Sequence, residues 1–214
     1  MAIWTDEDAR FDYVVVGAGT AGCLLADRLS ATGASVCVLE AGGRDWSPLI
    51  HLPVGYVWNV HSRRLTWDYA VEPGPVVNRR FRLPQGKVLG GSSSINGLSH
   101  VRGQRQDYDD WAAAGNPGWS YLEILPYFMR SERKIGVGDD RFRGRSGSLH
   151  ITDQDWSHPI CDAFVNGLSE LGIPLTDDYN GMVHTGGGYL QRAIHNGRRC
   201  SSARAFLKPA MQRP

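Results

Sequence analysis

The hydrophobic pattern of the first forty residues predicts a strand, a helix and a second strand. Tyr13–Val16 is a run of four β-type residues without polar alternation, typical of a strand buried on both faces of a parallel sheet. A helix over residues 21–30 follows with its leucines on one face, and residues 35–39 form a second apolar run. Together they predict one right-handed β-α-β unit.

Beyond residue 40 the regular pattern is interrupted. Residues 41–107 are dense in Gly, Pro, Arg and Trp, and such long irregular stretches are uncommon in compact domains unless they serve a function. Further helices are predicted near 107–115, 120–134, 157–172 and 201–210, and strands at 147–152 and 186–194. Only two strands have the pattern of buried parallel strands, so the sequence predicts an α/β fold with an incomplete parallel sheet. We expect either a fragment or a sheet completed by another chain.

Composition narrows the class of protein. The chain of 214 residues is 42% hydrophobic and 21% charged, with a net charge of +1, so nothing indicates a nucleic-acid partner. No apolar run approaches the length of a transmembrane segment, and the acidic, polar start is unlike a signal peptide. The four cysteines show no C-x-x-C spacing, which favours reduced side chains over a metal site or disulfides. We therefore expect a cytoplasmic protein without a metal site.

The turn GAGTAG, residues 17–22, carries the first candidate chemistry. Gly17 permits a tight turn, Gly19 lets a pyrophosphate approach the backbone, and Gly22 lets the helix pack close to the strand. The first N–H groups of the helix face the phosphates. Glu40, at the end of the second strand, is placed to accept hydrogen bonds from ribose hydroxyls. The pattern predicts a dinucleotide site; a ligand-free β-α-β turn is the alternative.

A second glycine cluster occurs in GKVLGGSSSING, residues 86–97. Gly90 and Gly91 remove side chains where a flat ligand can meet the backbone, and small donors and acceptors follow at Ser92, Ser93 and Asn96. A hydrogen-bonded loop, or the N-cap of a helix starting near Ser94, explains the same residues. The chemistry of this segment alone does not decide between a ligand-binding turn and a purely structural loop.

Taken together, these segments resemble the glucose–methanol–choline family of FAD oxidoreductases. The resemblance rests on GAGTAG, LEAGG at 39–43, WDY at 67–69 and above all GKVLGGSSSINGLSHVRG at 86–103. It continues through DYDDWAAAGNPGWSYLEILPYF at 107–128, GxLxI at 147–151 and RRCSSARAFL at 198–207. It covers essentially the whole chain, and it is most evident towards the choline-dehydrogenase-like and alcohol-dehydrogenase-like bacterial branch.

The resemblance implies a Rossmann-like FAD-binding domain over residues 1–155 and the start of an α+β substrate-binding domain over 156–197. Residues 198–214 are then a return towards the FAD-binding domain. The implied FAD-binding residues are Gly17, Gly19, Thr20, Ala21, Gly22, Glu40, Ala41, Trp67, Lys87, Val88, Gly91, Ser92, Asn96, Gly97, Leu98 and Ser99.

Two positions depart from the family pattern. Members that attach FAD covalently do so through a histidine immediately before the asparagine of this motif, and here that residue is Ile95. The resemblance therefore implies noncovalent FAD. His100 stands where an aromatic residue or alanine is usual, and we expect it to pack as an aromatic substitute rather than to act near the flavin.

The implied activity is oxidation of the CH–OH group of a primary alcohol to the aldehyde, with hydride transfer to flavin N5. The electron acceptor is left open among oxygen, a quinone or another compound. None of the seven histidines corresponds to the family's catalytic base, which we expect beyond Pro214, so the chain alone is expected to be inactive. An NAD-dependent dehydrogenase and a non-catalytic dinucleotide-binding remnant are the alternatives.

Overall fold

The computed structural model describes residues 10–76 and 78–213. These residues form a mixed α/β structure that divides into two compact units, 10–97 with 201–213, and 98–200. The boundaries predicted at residues 155 and 197 separate an FAD-binding domain from a substrate-binding domain. These two compact units do not test them, and they stay a prediction. Within the described ranges no helix is both long and apolar enough to cross a membrane.

The first unit begins with the predicted β-α-β motif. Strand β1 (Tyr13–Val16) pairs in parallel with β2 (Val36–Leu39), and α1 (Thr20–Ser30) connects them. After α1 the chain reverses at Gly33, whose φ of 88° lies in the left-handed region that glycine adopts without strain.

The parallel sheet has two strands within the described residues, as the prediction of an incomplete sheet requires. Its apolar side chains are not covered: Val14 is 58% exposed, Val16 84% and Leu39 53%. The expectation that β1 is buried on both faces is therefore not met. A short sheet with exposed apolar side chains is a typical surface for association with another chain or with a further part of the same protein.

Residues 41–97 contain more regular structure than expected. Short helices α2 (Pro48–His51) and α3 (Tyr56–Asn59) flank a 3-10 turn, and β3 (Thr66–Val71) pairs with β4 (Phe81–Gly86) in an antiparallel hairpin. A second 3-10 helix follows at Gly91–Ser94. Ile50, Val88 and Ile95 form a buried apolar cluster that joins these pieces.

The last segment of the chain returns to the first unit. A π-helical stretch, Ala203–Leu207, continues into α7 (Lys208–Ala210), so Pro209 does not end the predicted helix. Two ion pairs hold this segment: Arg213 contacts Asp27 of α1 at 2.7 Å, and Lys208 contacts the buried Asp45 at 2.8 Å.

The second unit contains the other predicted helices. These are α4 (Arg105–Ala113), α5 (Tyr121–Ser131) and α6 (Pro159–Glu170). The predicted capping box of α5 is present, because Ser120 and Glu123 bond each other's backbone N–H groups. Helix α5 continues through Pro126, near its middle, without dividing.

Short strand pairs complete this unit. β5 (Glu132–Lys134) pairs with β6 (Leu149–Ile151), and β7 (Ile194–His195) pairs with β8 (Arg198–Arg199). The strand predicted over 186–194 is wrong for most of its length: isolated bridges occur at Gly187 and Arg192, and β7 includes only its last residue. Three consecutive glycines, the first with a φ of 149°, disfavour a continuous strand there.

A buried ionic network lies inside the second unit. The carboxylate of Glu132, 1% exposed, accepts hydrogen bonds from Arg102 at 2.9 Å, Arg143 at 2.8 Å and His100 at 3.2 Å. Both arginine side chains are also almost fully buried. The expectation that His100 packs as an aromatic substitute is thus replaced by a polar role, because its ring bonds a carboxylate.

These contacts determine the ionisation of Glu132. Burial by itself raises the pKa of this carboxyl, but hydrogen bonds from His100 and Arg143 and the charges of Arg102 and Arg143 lower the pKa to about 2. The carboxylate is therefore ionised in the folded protein over the whole physiological range of pH.

The low pKa of Glu132 predicts acid sensitivity. The ionised carboxylate stabilises the fold above the unfolded-chain pKa of about 4.3, and this contribution is lost as the pH falls towards 2. We expect the free energy of unfolding to fall by about 3 kcal/mol over that range. Urea unfolding of the complete protein, followed by tryptophan fluorescence at stepped pH, measures this. Equal acid dependence in a Glu132→Gln variant would assign the effect to other carboxylates.

The uncovered strands predict the behaviour of the isolated 214-residue chain. With Val14, Val16 and Leu39 exposed, we expect self-association, binding of a hydrophobic dye and a broad thermal transition. Light scattering and calorimetry of the purified chain test this expectation. A monomer with a sharp, cooperative melt contradicts it.

Candidate functional site

The three glycines of the turn 17–22 differ in backbone conformation and in the space available for a side chain. Gly17 has a φ of 93°, which side chains rarely adopt. A Cβ on Gly22 overlaps the carbonyl oxygen of Gly17, so the start of α1 packs directly against the turn. Gly19 is different: its φ is −73°, and an added Cβ has no protein atom within 4 Å. Neither strain nor packing in the described protein requires glycine at position 19.

The amino terminus of α1 is open to an anion. Gly19 is its N-cap residue and provides no side-chain hydrogen bond, and the first turn contains no acidic side chain. The first N–H groups of a helix lack partners within the helix and carry the positive end of its dipole. A phosphate group satisfies both requirements.

Glu40 holds the turn from the end of β2. Its two carboxylate oxygens accept the N–H groups of Ala18 at 2.8 Å and Gly42 at 2.7 Å. The carbonyl oxygen of Ala18 accepts the N–H of Gly90, also at 2.7 Å. Both sides of the Ala18 residue are therefore fixed, and the turn is held in one conformation before any ligand arrives. Each carboxylate oxygen of Glu40 still has a free lone pair for a hydroxyl donor.

The second glycine cluster packs against the first. Gly90 and Gly91 both have positive φ, of 90° and 55°. A Cβ on Gly91 lies 2.8 Å from Cα of Gly19, and one on Gly90 overlaps the hydroxyl oxygen of Ser94. Backbone-to-backbone contact thus explains Gly91 and brings the two turns predicted to bind one ligand into direct contact. Gly90 is explained by its left-handed backbone and by the Ser94 side chain that lies against it.

The serine hydroxyls of this cluster are engaged within the protein. Ser92 donates to Gln85 at 2.9 Å and accepts the N–H of Gly86 at 3.0 Å. Ser93 and Ser94 donate to backbone carbonyls of the same loop, those of Gly90 and Leu89. The interpretation of this segment as a hydrogen-bonded loop therefore accounts for all three hydroxyl donors.

A cavity of about 760 Å³ lies beside the two turns, within the first unit. Six of the residues implied by the family resemblance line it: Gly17, Gly19, Glu40, Ala41, Trp67 and Gly91. Four further lining residues were not predicted, namely Val16, Val38, Leu39 and Gly86. Three of these lie at the carboxyl ends of the parallel strands, where ligands bind in open α/β sheets, and that rule could have identified them.

The other implied residues lie outside the lining. Thr20, Ala21 and Gly22 form the first turn of α1, and Lys87 places its ammonium 4.1 Å from the centre of the Trp67 ring. Val88 is fully buried, whereas Asn96 and Gly97 are exposed. Leu98 and Ser99 belong to the second unit. The aliphatic side chain of Ile95 is buried against Ile50 and Val88.

No metal centre is formed within the described parts of the chain, where no group of three or more potential ligands comes together. The seven histidines are likewise dispersed. His150 and His195 form the one ring contact between two histidines found in the described ranges, with centroids 3.9 Å apart.

Fold and site together define a Rossmann-type β-α-β protein with a glycine turn at the uncapped start of α1. The family model described as GMC oxidoreductase matches residues 11–214. The chain therefore belongs to the GMC oxidoreductase family.

Curated relatives agree with this assignment. The oxygen-dependent choline dehydrogenase of Rhizobium etli (strain CIAT 652) is 45% identical over 204 residues, which are 94% of this chain and 37% of that protein. The protein of the same name from Sinorhizobium fredii is 45% identical over 205 residues. The chain thus spans little more than a third of the length of these relatives.

Solved structures show the same fold. Pyridoxine 4-oxidase from Mesorbium loti superposes with a TM-score of 0.88 at 32% identity, covering 95% of this chain and 41% of that one. An FAD-dependent oxidoreductase from Chaetomium thermophilum superposes with a TM-score of 0.84 at 29% identity, covering 96% and 37%.

The contrast between two glycines generates a stability prediction. Gly22→Ala forces a methyl group onto a backbone carbonyl, and overpacking of this kind costs roughly 1–3 kcal/mol. Gly19→Ala adds a methyl group in open space at an ordinary φ, so its effect is the smaller one, at most about 1 kcal/mol from the preference of the N-cap position for glycine over alanine. Chemical unfolding of the ligand-free complete protein compares the two. Equal losses would show that Gly19 has a structural role as well.

Proposed function

We propose that the chain is the FAD-binding part of a flavin-dependent oxidoreductase that oxidises the CH–OH group of a primary alcohol to the aldehyde. Family membership supports the general class. The observation that carries FAD binding by these residues is Gly19: it lines the cavity, and nothing in the described protein requires it to be glycine. The missing neighbour is then the ligand itself.

The phosphate end is assigned to the glycine turn. The N–H groups at the start of α1, around Gly19, Thr20 and Ala21, bind the pyrophosphate, while Gly17 and Gly22 maintain the turn. Glu40 and Ala41 bind the adenosine ribose. The double use of the Glu40 carboxylate, for backbone N–H groups and ribose hydroxyls, couples the geometry of the turn to the ligand.

The flavin end is assigned to later residues. Trp67 and Gly91 border the cavity, and Lys87 lies over the Trp67 ring, so this ring is oriented by a charged neighbour. Val88 and Ser92 support this wall from within the loop. The segment Asn96, Gly97, Leu98 and Ser99 completes the proposed binding residues.

The chemistry is divided between the cofactor and the protein. When bound, FAD would supply the redox chemistry, since flavin N5 can accept the hydride of the alcohol carbon. The described residues bind and orient the cofactor and form the wall beside it. Proton transfer from the alcohol is assigned to residues outside this chain, in the portion of the relatives that the chain does not cover.

We propose noncovalent FAD because position 95 carries an aliphatic side chain packed in the apolar cluster, with no nucleophile to form a bond. Choline or a similar primary alcohol is the proposed substrate, and the oxygen dependence in the names of the relatives supports oxygen over a quinone. We further propose a cytoplasmic location.

The test is FAD binding by the complete protein and two glycine variants. Gly19→Ala is expected to weaken FAD binding by tenfold or more, about 1.4 kcal/mol, because the added methyl group occupies the phosphate position. Gly74→Ala is the matched control: an added Cβ there also meets nothing within 4 Å, and Gly74 lies outside the cavity. Titration of apoprotein with FAD, followed by flavin fluorescence, gives both affinities.

Denaturation of the same samples tests the attachment. All flavin is expected in the supernatant after acid precipitation. A parent protein that binds no FAD overturns the proposed function, and equal affinity in the Gly19 variant overturns the assignment of the phosphate site. Flavin that remains with the precipitate contradicts noncovalent binding alone.

A further inference from the structure

Leu98 has a backbone conformation that needs an explanation. Its φ is 66°, and among the described residues Asn196 is the one other non-glycine residue with positive φ. Asparagine enters the left-handed region at low cost, but leucine does not. Leu98 is also 4% exposed, so it is not a surface turn with freedom to relax. Strain of this kind persists when the surroundings over-determine the conformation, and it concentrates at functional sites.

The backbone after Leu98 is held by pairing with residues 191–193. The carbonyl of Leu98 accepts the N–H of Ala193 at 2.9 Å, and the N–H of His100 donates to Gln191 at 2.9 Å. Ser99 forms an isolated bridge with Arg192. This pairing fixes the direction of the chain immediately after the strained residue.

Asn180 adds a second clamp. Its amide, in a fully buried side chain, accepts the N–H of Arg102 at 2.7 Å and donates to the carbonyl of His100 at 2.9 Å. The Asn180 side chain thus makes the hydrogen bonds to the His100 carbonyl and the Arg102 N–H that a neighbouring strand would otherwise make.

Glu132 holds the side chains of the same segment. One oxygen of its carboxylate accepts from both His100 and Arg102, and the other accepts from Arg143 and from the N–H of Gly144 at 3.2 Å. A carboxylate buried to 1% exposure between two buried guanidinium groups does not rearrange without leaving charges unpaired. The backbone of residues 98–102 is therefore held by residues 191–193 and Asn180, and Glu132 holds the side chains of His100 and Arg102.

We propose that Glu132 is a positioning residue for the flavin: through His100 and Arg102 it holds Leu98 in its left-handed conformation and fixes the backbone of Leu98 and Ser99, two residues that the proposed function assigns to the flavin end. The inference rests on the proposed function, because it takes residues 96–99 as the flavin end. Hydrogen bonds and dipoles next to a flavin ring tune its spectrum and potential, so the position of this backbone has a spectroscopic consequence.

The experiment compares Glu132→Gln with Asp153→Asn in the FAD-loaded complete protein. The control also removes a carboxylate from a buried cation of the second unit, Lys134, at 2.6 Å, but it does not touch residues 98–102. We expect Glu132→Gln to shift the visible flavin band and the reduction potential and to weaken FAD binding about tenfold. Asp153→Asn is expected to change stability while leaving band and potential as in the parent.

A double-mutant cycle with Leu98→Gly tests whether Glu132 acts on the flavin through the backbone of Leu98. Glycine adopts the left-handed conformation without a clamp, so the spectral change caused by Glu132→Gln should be smaller in the Leu98→Gly background than in the parent. If Glu132→Gln does not fold, Arg102→Lys, which keeps the charge but loses the planar fork, takes its place. Hydrogen exchange of the amides 98–102 in flavin-free protein then reports loosening directly.

The outcomes separate the two proposals. A parent protein that binds no FAD overturns both. A parent that binds FAD, with a Glu132→Gln variant whose band, potential and amide exchange equal those of the parent, overturns the positioning role and leaves the proposed function standing. Equal spectral changes in the Glu132 and Asp153 variants do the same, because a general loss of stability then explains them.

Discussion

The first unit depends on one constraint: backbone has to meet backbone where its segments cross. Gly22 lies against the carbonyl of Gly17, Gly91 against Gly19, and Gly86 against the backbone of Gly91, so a side chain at any of these crossings meets main-chain atoms. Main-chain atoms cannot move aside as a flexible side chain can, and the segments would have to separate. The glycine turn, the second glycine cluster and the end of β4 are therefore one assembly, and the cavity beside them exists because they meet.

Hydrogen bonds turn this close packing into a defined site. Glu40 and Gly90 hold the two sides of Ala18, and Ser92 ties the second cluster to the end of β4. The three serine hydroxyls of the second cluster donate within the protein, whereas the start of α1 has neither a capping side chain nor an acidic residue. A ligand bound at the start of α1 would therefore require little ordering of the loops.

Buried charged groups hold the segments of the second unit together, whereas close backbone contacts do so in the first unit. Its buried carboxylate, two guanidinium groups and amide side chains come from segments up to about eighty positions apart, such as Arg102 and Asn180. Such a network is weak evidence for high stability, since desolvation offsets much of its attraction. The hydrogen bonds of this network are directional, and they hold residues 98–102, including the strained Leu98, in one arrangement.

The sequence by itself determined what depends on local pattern. The β-α-β unit, the capping box of α5, the incomplete sheet and the family followed from apolar periodicity, from spaced glycines and from motifs in the right order. The tertiary structure decided which glycines serve the fold and which leave room for a ligand, because Gly19 and Gly91 look alike in sequence but differ in backbone conformation and in what surrounds them. It also replaced the expected packing role of His100 with a hydrogen bond to Glu132 and reduced the strand expected at 186–194 to isolated bridges. The physical reason is the same in each case: close approach, burial and pairing are properties of residues distant in the chain, and no local pattern encodes them.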